Sequence, residues 1–168
     1  MAAPDPAALP SDAFIGLGAN LGDRALHIER ACAEIAALPR TTLVARSPLY
    51  ATAPVGATGG EYLNAVVRVR TELAPLELLH ALQAIETRHG RVRPFAGAPR
   101  TLDLDLLLYD DLVLASDELT VPHPRLHERA FVLVPLADIA PERTIPGKGR
   151  VIDLCGAISS QRVAKLDR

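Results

Sequence analysis

The chain has no tryptophan, one methionine, two cysteines, three phenylalanines and three tyrosines in 168 residues. Two cysteines, Cys32 and Cys155, cannot build a four-cysteine zinc site. A bridge between them is open in principle, but free thiols of a cytoplasmic protein are the expectation. Lysine is almost missing as well: Lys148 and Lys165 stand against sixteen arginines, and the net charge is −2. The average surface therefore lacks the basic footprint of a nucleic-acid binder. No apolar run approaches the roughly eighteen residues of a membrane span. The first ten residues, with Pro4, Pro6 and Pro10 among alanines, have neither the basic start nor the apolar segment of a signal peptide. Familiar catalytic signatures are absent too. There is no G-x-x-x-x-G-K-[ST], no G-x-S-x-G, and no H-R-D or D-F-G; Gly16, Gly18 and Gly22 miss the G-x-G-x-x-G spacing.

What remains is a globular composition, 49% hydrophobic and 23% charged. It predicts one domain over 12–168 behind a tail of 1–11. Ala13–Ala19 reads as a strand, Asn20–Asp23 as a turn, and Asp23 as the N-cap of a helix carrying Leu26, Ile28, Ala31, Ile35 and Leu38, closed near Pro39. Thr41–Tyr50 reads as a strand that runs into a Gly-rich loop, and Tyr62–Val69 as a strand reaching toward Thr71. Pro75 opens a second helix that ends near His89-Gly90. Arg91–Pro99 reads as a loop, and Thr101–Tyr109 as a strand apolar enough to be central. Beyond a turn at Asp110-Asp111 come a short extended piece at Leu119–Val121, a segment Arg125–Ala137 broken or kinked at Pro135, and VIDLCGAI as a last strand or a docked helix. The order strand, helix, strand, strand, helix, strand predicts an α+β fold, one sheet backed by helices. A doubly wound parallel sheet fits less well, because the second and third strands have no helical crossover between them.

The chemistry concentrates in RTLDLDLLLY, Arg100–Tyr109. Asp103 and Asp105 stand two apart in an apolar strand, so both carboxylates face one way. Setting like charges together out of water is costly unless cations gather there. Mg²⁺, held by carboxylates and substrate phosphates, is the ordinary cation for such a seat. Structural pairing with arginines is the other reading, for Arg88, Arg91, Arg93 and Arg100 lie just before the pair. Each arginine is either a phosphate contact or a structural partner, and Arg100 could instead hold Asp103 or Glu86. His123, between two prolines, is either a positioned ring or a satisfied core histidine. Tyr62 and Phe131, beside Asn64 and Arg129, either fill the core or stack on a flat heterocycle.

Taken together these segments resemble the 6-hydroxymethyl-7,8-dihydropterin pyrophosphokinases of folate biosynthesis. The resemblance rests on FIGLGANLGD (Phe14–Asp23), SPLYATAPVG (Ser47–Gly56), EYLNAVV (Glu61–Val67), IETRHGRVR (Ile85–Arg93), PRTLDLDLLLYDD (Pro99–Asp111) and LTVPHPRLHERAFVLVPLADIAPE (Leu119–Glu142), in family order. It implies a ferredoxin-like βαββαβ core with C-terminal additions. It also implies transfer of pyrophosphate from ATP to the pterin hydroxymethyl group, release of AMP, and two Mg²⁺ ions. On that resemblance Asp103 and Asp105 bind both ions. Arg91, Arg100, His123 and Arg129 hold the ATP phosphates, and Arg93 acts from the catalytic loop. Tyr62, Asn64 and Phe131 form the pterin slot, completed by the backbone of Thr52, Ala53, Pro54 and Val55, with Glu86 as a supporting carboxylate. The implied partners are small molecules, with no nucleic acid or membrane. The expected protein is a cytoplasmic monomer, with contact to other folate-pathway enzymes left open.

The sequence also departs from the resemblance. Family members often carry an Arg-Trp pair before Pro-Arg-Thr-Leu-Asp, whereas this chain has FAGAPR, Phe95–Arg100, apparently one residue shorter. Pro124 follows His123 where an aromatic is common. Two other readings compete: a different Mg²⁺-dependent transferase on the same fold, and a non-catalytic binder of pterin or nucleotide.

Overall fold

The computed structural model describes residues 10–19, 23–52, 62–90, 102–158 and 163–165. Strand β1 (Ser11–Ala19) is followed by α1 (Arg24–Ala36), whose N-terminus is capped by Asp23 accepting from the Leu26 N–H at 3.1 Å. Next come β2 (Thr41–Arg46), β3 (Tyr50–Thr52), β4 (Tyr62–Thr71) and α2 (Pro75–Arg88), which opens on its proline as expected. Strand β5 (Asp103–Tyr109) leads to a hairpin of β6 (Leu114–Ala115) and β7 (Thr120–Val121). A 3₁₀ turn at Leu126–Glu128 precedes α3 (Ala130–Ile139). A second hairpin, β8 (Thr144–Ile145) with β9 (Gly149–Arg150), then α4 (Val151–Ala157) and β10 (Ala164–Lys165), complete the described chain. None of the described helices is long and apolar enough to cross a membrane, and both cysteines are free.

The main sheet is antiparallel throughout, in the order β10-β3-β4-β1-β5, with β2 also paired to β4. Its two faces are built differently. Ile15, Leu17 and Ala19 of β1, Leu63, Ala65, Val67 and Val69 of β4, and Leu104 and Leu106 of β5 form one core with Ile28, Ala31 and Ile35 of α1 and Leu78, Leu82 and Ile85 of α2. The opposite face is apolar only at one end. There Phe14, Val66, Leu107 and Leu108 pack under Val132, Leu133 and Leu136 of α3 and Val151 of α4. Leu107 and Leu108 both reach that face because the β1–β5 register slips between Phe14 and Ile15.

Three expectations change. Thr41–Tyr50 is not one strand: it breaks at Ser47–Leu49, where Pro48 has no N–H to give the ladder. Ser47 substitutes for the missing rung by accepting from the Val66 N–H through its hydroxyl and donating its own N–H to the Val66 carbonyl, each at 2.9 Å. Pro135 does not break α3; it lies buried inside the helix, held by its apolar neighbours against the sheet. The third concerns β5, which stands at the edge of the sheet, not at its centre. Its outer edge is nevertheless covered. Buried Glu86 of α2 accepts from the Leu104 N–H at 2.8 Å, and the His123 N–H donates to the Leu107 carbonyl at 2.9 Å. One face, the Leu107–Leu108 end of the other face and the edge are shielded, so an edge strand carries most of a central strand's composition. VIDLCGAI takes the helical alternative, as α4.

Helices α1 and α2 are tied by a chain of titratable groups. His27 and His89 share a hydrogen bond between their Nδ1 atoms at 2.8 Å, and His89 Nε2 meets Glu34 at 2.7 Å, with Arg88 3.7 Å from the same carboxylate. Burial first, then the nearby His89 and Arg30, lowers the pKa of His27, against a smaller opposing pull from Asp23. The folded chain thus takes up this proton less readily than the unfolded chain. The His27 contribution to stability is intact above the unfolded value of about 6.5 and is lost as pH falls toward and through the lower folded value. Thermal melts between about pH 7.5 and about pH 5.5 will show wild type losing more stability than His27→Gln across that window. Equal losses would remove His27 from this role.

Candidate active site

The site lies on the uncovered end of the second face. Antiparallel partners share a face, so the register places its residues directly. Gly18 pairs with Asp103 on one side and Asn64 on the other; Gly16 pairs with Asp105 and Val66. Tyr50 pairs with Asn64, and Thr52 with Tyr62. Thr52, Tyr62, Asn64, Asp103 and Asp105 therefore border one surface whose floor is the glycine pair of β1. A Cβ at Gly18 would stand 3.2 Å from the Asn64 side-chain oxygen, and one at Gly16 would stand 3.5 Å from Leu107. Glycine keeps the middle strand bare between the carboxylates and the amide.

The amide is oriented. Asn64 is buried, and its Nδ2 donates to the Thr52 hydroxyl at 3.0 Å. On the other flank, Asp103 and Asp105 are half-buried, and the Glu86 bond to the Leu104 N–H lies between them in sequence. The roof comes from the segment preceding α3 and from its first turn. The Arg129 guanidinium lies over the Phe131 ring, 5.4 Å from its centroid. Burial is the main influence lowering the pKa of Arg129; Arg125 acts in the same direction, while Asp105 and Asp103 pull the other way. His123 follows the same pattern: burial and then Arg129 lower its pKa, and Asp103 opposes them. His123 is thus neutral near pH 7. Its Nδ1 accepts from the Arg125 N–H at 3.2 Å, which leaves Nε2 to carry the ring hydrogen as a donor. The site therefore sets a carboxylate pair within electrostatic reach of a guanidinium and an imidazole, beside an amide and two aromatic rings.

A model of the family described as 7,8-dihydro-6-hydroxymethylpterin-pyrophosphokinase (HPPK) matches residues 14–141. The chain belongs to this family. Its reaction is the HPPK reaction, transfer of pyrophosphate from ATP to the hydroxymethyl group of 6-hydroxymethyl-7,8-dihydropterin with release of AMP. Among its relatives, the 2-amino-4-hydroxy-6-hydroxymethyldihydropteridine pyrophosphokinase of Pseudomonas aeruginosa is 44% identical over 154 residues, which cover 91% of this chain and 95% of the relative. The Bacillus subtilis enzyme of the same name is 43% identical over 128 residues, covering 76% and 77%. Among solved structures, a Plasmodium falciparum HPPK-DHPS chain aligns with a TM-score of 0.73 at 14% identity, covering 90% of this chain and 46% of that longer one. That likeness concerns the fold.

Of the residues the sequence singles out, the structure brings together Thr52, Tyr62, Asn64, Asp103 and Asp105 by register. His123 and Arg129 join them through their electrostatic contact with Asp103, and Phe131 through Arg129. Glu86 supports from behind. Arg91, Arg93, Arg100, Ala53, Pro54 and Val55 lie outside the described residues. Sequence reasoning missed the Thr52 hydroxyl as the partner of Asn64, having assigned only backbone there. Only half of the signal was in the sequence: a buried amide needs a partner, but that Thr52 lies on the strand beside Asn64 shows only in the fold. It also missed Tyr50, which shares this face two residues before Thr52.

Proposed function

We propose that Asp103 and Asp105 seat two Mg²⁺ ions beneath the ATP triphosphate, while Asn64, Thr52, Tyr62 and Phe131 hold the pterin beside them. The donor set suits this assignment. Among the described residues no group of three or more His, Cys, Asp and Glu is gathered to hold a metal. A closed zinc site would need such a set, whereas Mg²⁺ commonly uses one or two carboxylates and takes its remaining ligands from water and phosphate. The strand order with two helices on one face matches a ferredoxin-like βαββαβ core, and we adopt that topology for the domain.

Each side chain then has a defined task. Asn64, fixed by Thr52, presents its amide to the polar edge of the pterin. Phe131, with Arg129 over one face of its ring, offers the other to the heterocycle. Neutral His123 donates from Nε2 to a phosphate oxygen, and Arg129 pairs with the phosphates, as do Arg91 and Arg100; Arg93 acts with them. The pterin hydroxyl oxygen forms a bond to the β-phosphorus, the bond from that phosphorus to the oxygen of the α-phosphate breaks, and AMP leaves with that oxygen. The hydroxyl proton passes to water or to a carboxylate of the pair. Bound Mg²⁺ supplies charge neutralisation for the triphosphate and eases the approach of an oxygen nucleophile. The arginines stabilise the charge on the transferring group.

The observation that carries this assignment is the register, which lays two carboxylates and one oriented amide on either side of a bare glycine strand. Purified protein with ATP, Mg²⁺ and 6-hydroxymethyl-7,8-dihydropterin will form AMP only when the pterin is present. AMP formed equally without the pterin would point to a different transferase, and bound pterin without AMP to a binding protein.

A further inference from the structure

One polar contact on the site's own face lies outside the roles given above. The Tyr50 ring is buried, 5% exposed, and its hydroxyl donates to the carboxylate of Asp138 on α3. Tyr50 is paired with Asn64 and precedes Thr52 by two residues on β3, so it belongs to the strand edge that flanks the oriented amide. Asp138 follows Phe131 by seven residues in α3, and a seven-residue step brings side chains to nearly the same face two turns apart. One end of this helical stripe overhangs the site, and the other is bonded to the strand that carries Thr52. We propose that the Tyr50–Asp138 bond is a positioning contact that sets the gap between Phe131 and the Asn64–Thr52 pair, and so the fit of the flat heterocycle between them. This rests on the reading of that gap as the pterin slot.

Three observations support it. Away from the site, α3 meets the sheet through aliphatic side chains: Val132, Leu133 and Leu136 against Phe14, Val66, Leu107 and Leu108. Such packing holds the helix down, but a hydrogen bond to one named atom is directional and fixes where along the strand it stops. The hydroxyl also keeps its proton across working pH. The Tyr50 hydroxyl is pushed up to about 12, first by burial and then by Asp138, so it remains a donor. Finally, Asp138 is exposed, so removing the hydroxyl in Tyr50→Phe leaves the carboxylate to water and costs the fold little. A contact with small structural weight and a fixed place beside the site is suited to positioning.

The test uses the whole chain and four variants: Tyr50→Phe, Asp138→Leu, Asp138→Asn and the Tyr50→Phe/Asp138→Leu pair. Binding of 6-hydroxymethyl-7,8-dihydropterin in the presence of a non-hydrolysable ATP analogue and Mg²⁺ is measured alongside both KM values, kcat and Tm. Tyr50→Phe and Asp138→Leu will each raise the pterin Kd and KM about tenfold, with the ATP KM within about twofold of wild type, as a misplaced wall predicts. Asp138→Asn still accepts the hydroxyl and will stay near wild type. The double variant will be no worse than either single one, because both remove the same bond. Unchanged pterin binding in Tyr50→Phe and Asp138→Leu, with or without a lower Tm, overturns the positioning role alone. Failure of wild type itself to bind this pterin overturns the underlying reading of the slot, and the proposal with it.

Discussion

Asp103→Asn and Asp105→Asn will each leave a folded protein whose pterin-dependent AMP formation is slower by at least about a thousandfold, or about 4 kcal/mol of barrier. Asparagine keeps the volume and most of the shape of aspartate, and both positions lie in a strand whose ladder is made by backbone atoms. What the change removes is negative charge opposite the two glycines of β1. A hard dication is held chiefly by such charge, and an amide oxygen is a poor replacement for it. The same substitution has an electrostatic signature that does not depend on turnover. Asp103 raises the pKa of His123 against burial and Arg129, so removing its charge will drop His123 further below its ordinary value. Titration of the His123 ring by NMR in wild type and Asp103→Asn will show this shift. Circular dichroism and Tm confirm that each variant is folded. Activity within tenfold of wild type in either variant would take that carboxylate out of the metal role. An unmoved His123 would separate it from Asp103.

The reach of sequence reasoning followed the reach of the interactions. Asp103 and Asp105 share a face because strands alternate, and two residues of sequence suffice to say so. Asp23 as a cap and Pro75 as a helix start are equally local, and both occur in the fold. The edge position of β5 was not legible. Its composition reports burial, and burial by a neighbouring strand cannot be distinguished locally from burial by Glu86 and the His123 backbone. Pro48 marks the break after β2 in plain sight, but only Ser47 bonding to Val66, nineteen residues away, shows how the ladder is repaired. Pro135 was read by its usual effect on an isolated helix. The break does not occur: α3 runs through Pro135, with Val132, Leu133 and Leu136 packed against the opposite strands. At the site, residue types and their shared face came from sequence. The partners that orient them, Thr52 for Asn64 and Leu104 for Glu86, required the fold.

Glu86→Ala will destabilise the chain by about 2–3 kcal/mol, the scale of leaving a buried donor without its charged acceptor. For a chain of this length that is a fall in Tm of roughly 5–10 °C. Glu86 is 3% exposed, and its carboxylate accepts from the Leu104 N–H at 2.8 Å. Leu104 separates Asp103 from Asp105, and among the described residues no further strand lies outside β5 in this sheet. The carboxylate thus performs for the edge what another strand would do, at the one residue between the two proposed metal ligands. Alanine opens that edge where the pair must be held, and kcat will fall about 10–100-fold, the usual scale for loss of a residue that orients metal ligands. Glu86→Gln separates this role from a general need for negative charge. Its side-chain oxygen can still accept from Leu104, so its Tm will stay much nearer wild type than that of the alanine variant. Hydrogen exchange reports the contact itself: the Leu104 amide will be protected in wild type and Glu86→Gln and exposed in Glu86→Ala. If the alanine variant melts within about 1 °C of wild type, a shift far below the scale of a lost buried bond, the edge is held by something other than Glu86. If its Leu104 amide exchanges slowly while kcat falls, the carboxylate acts on the arginine-rich segment that follows α2 and not on the strand.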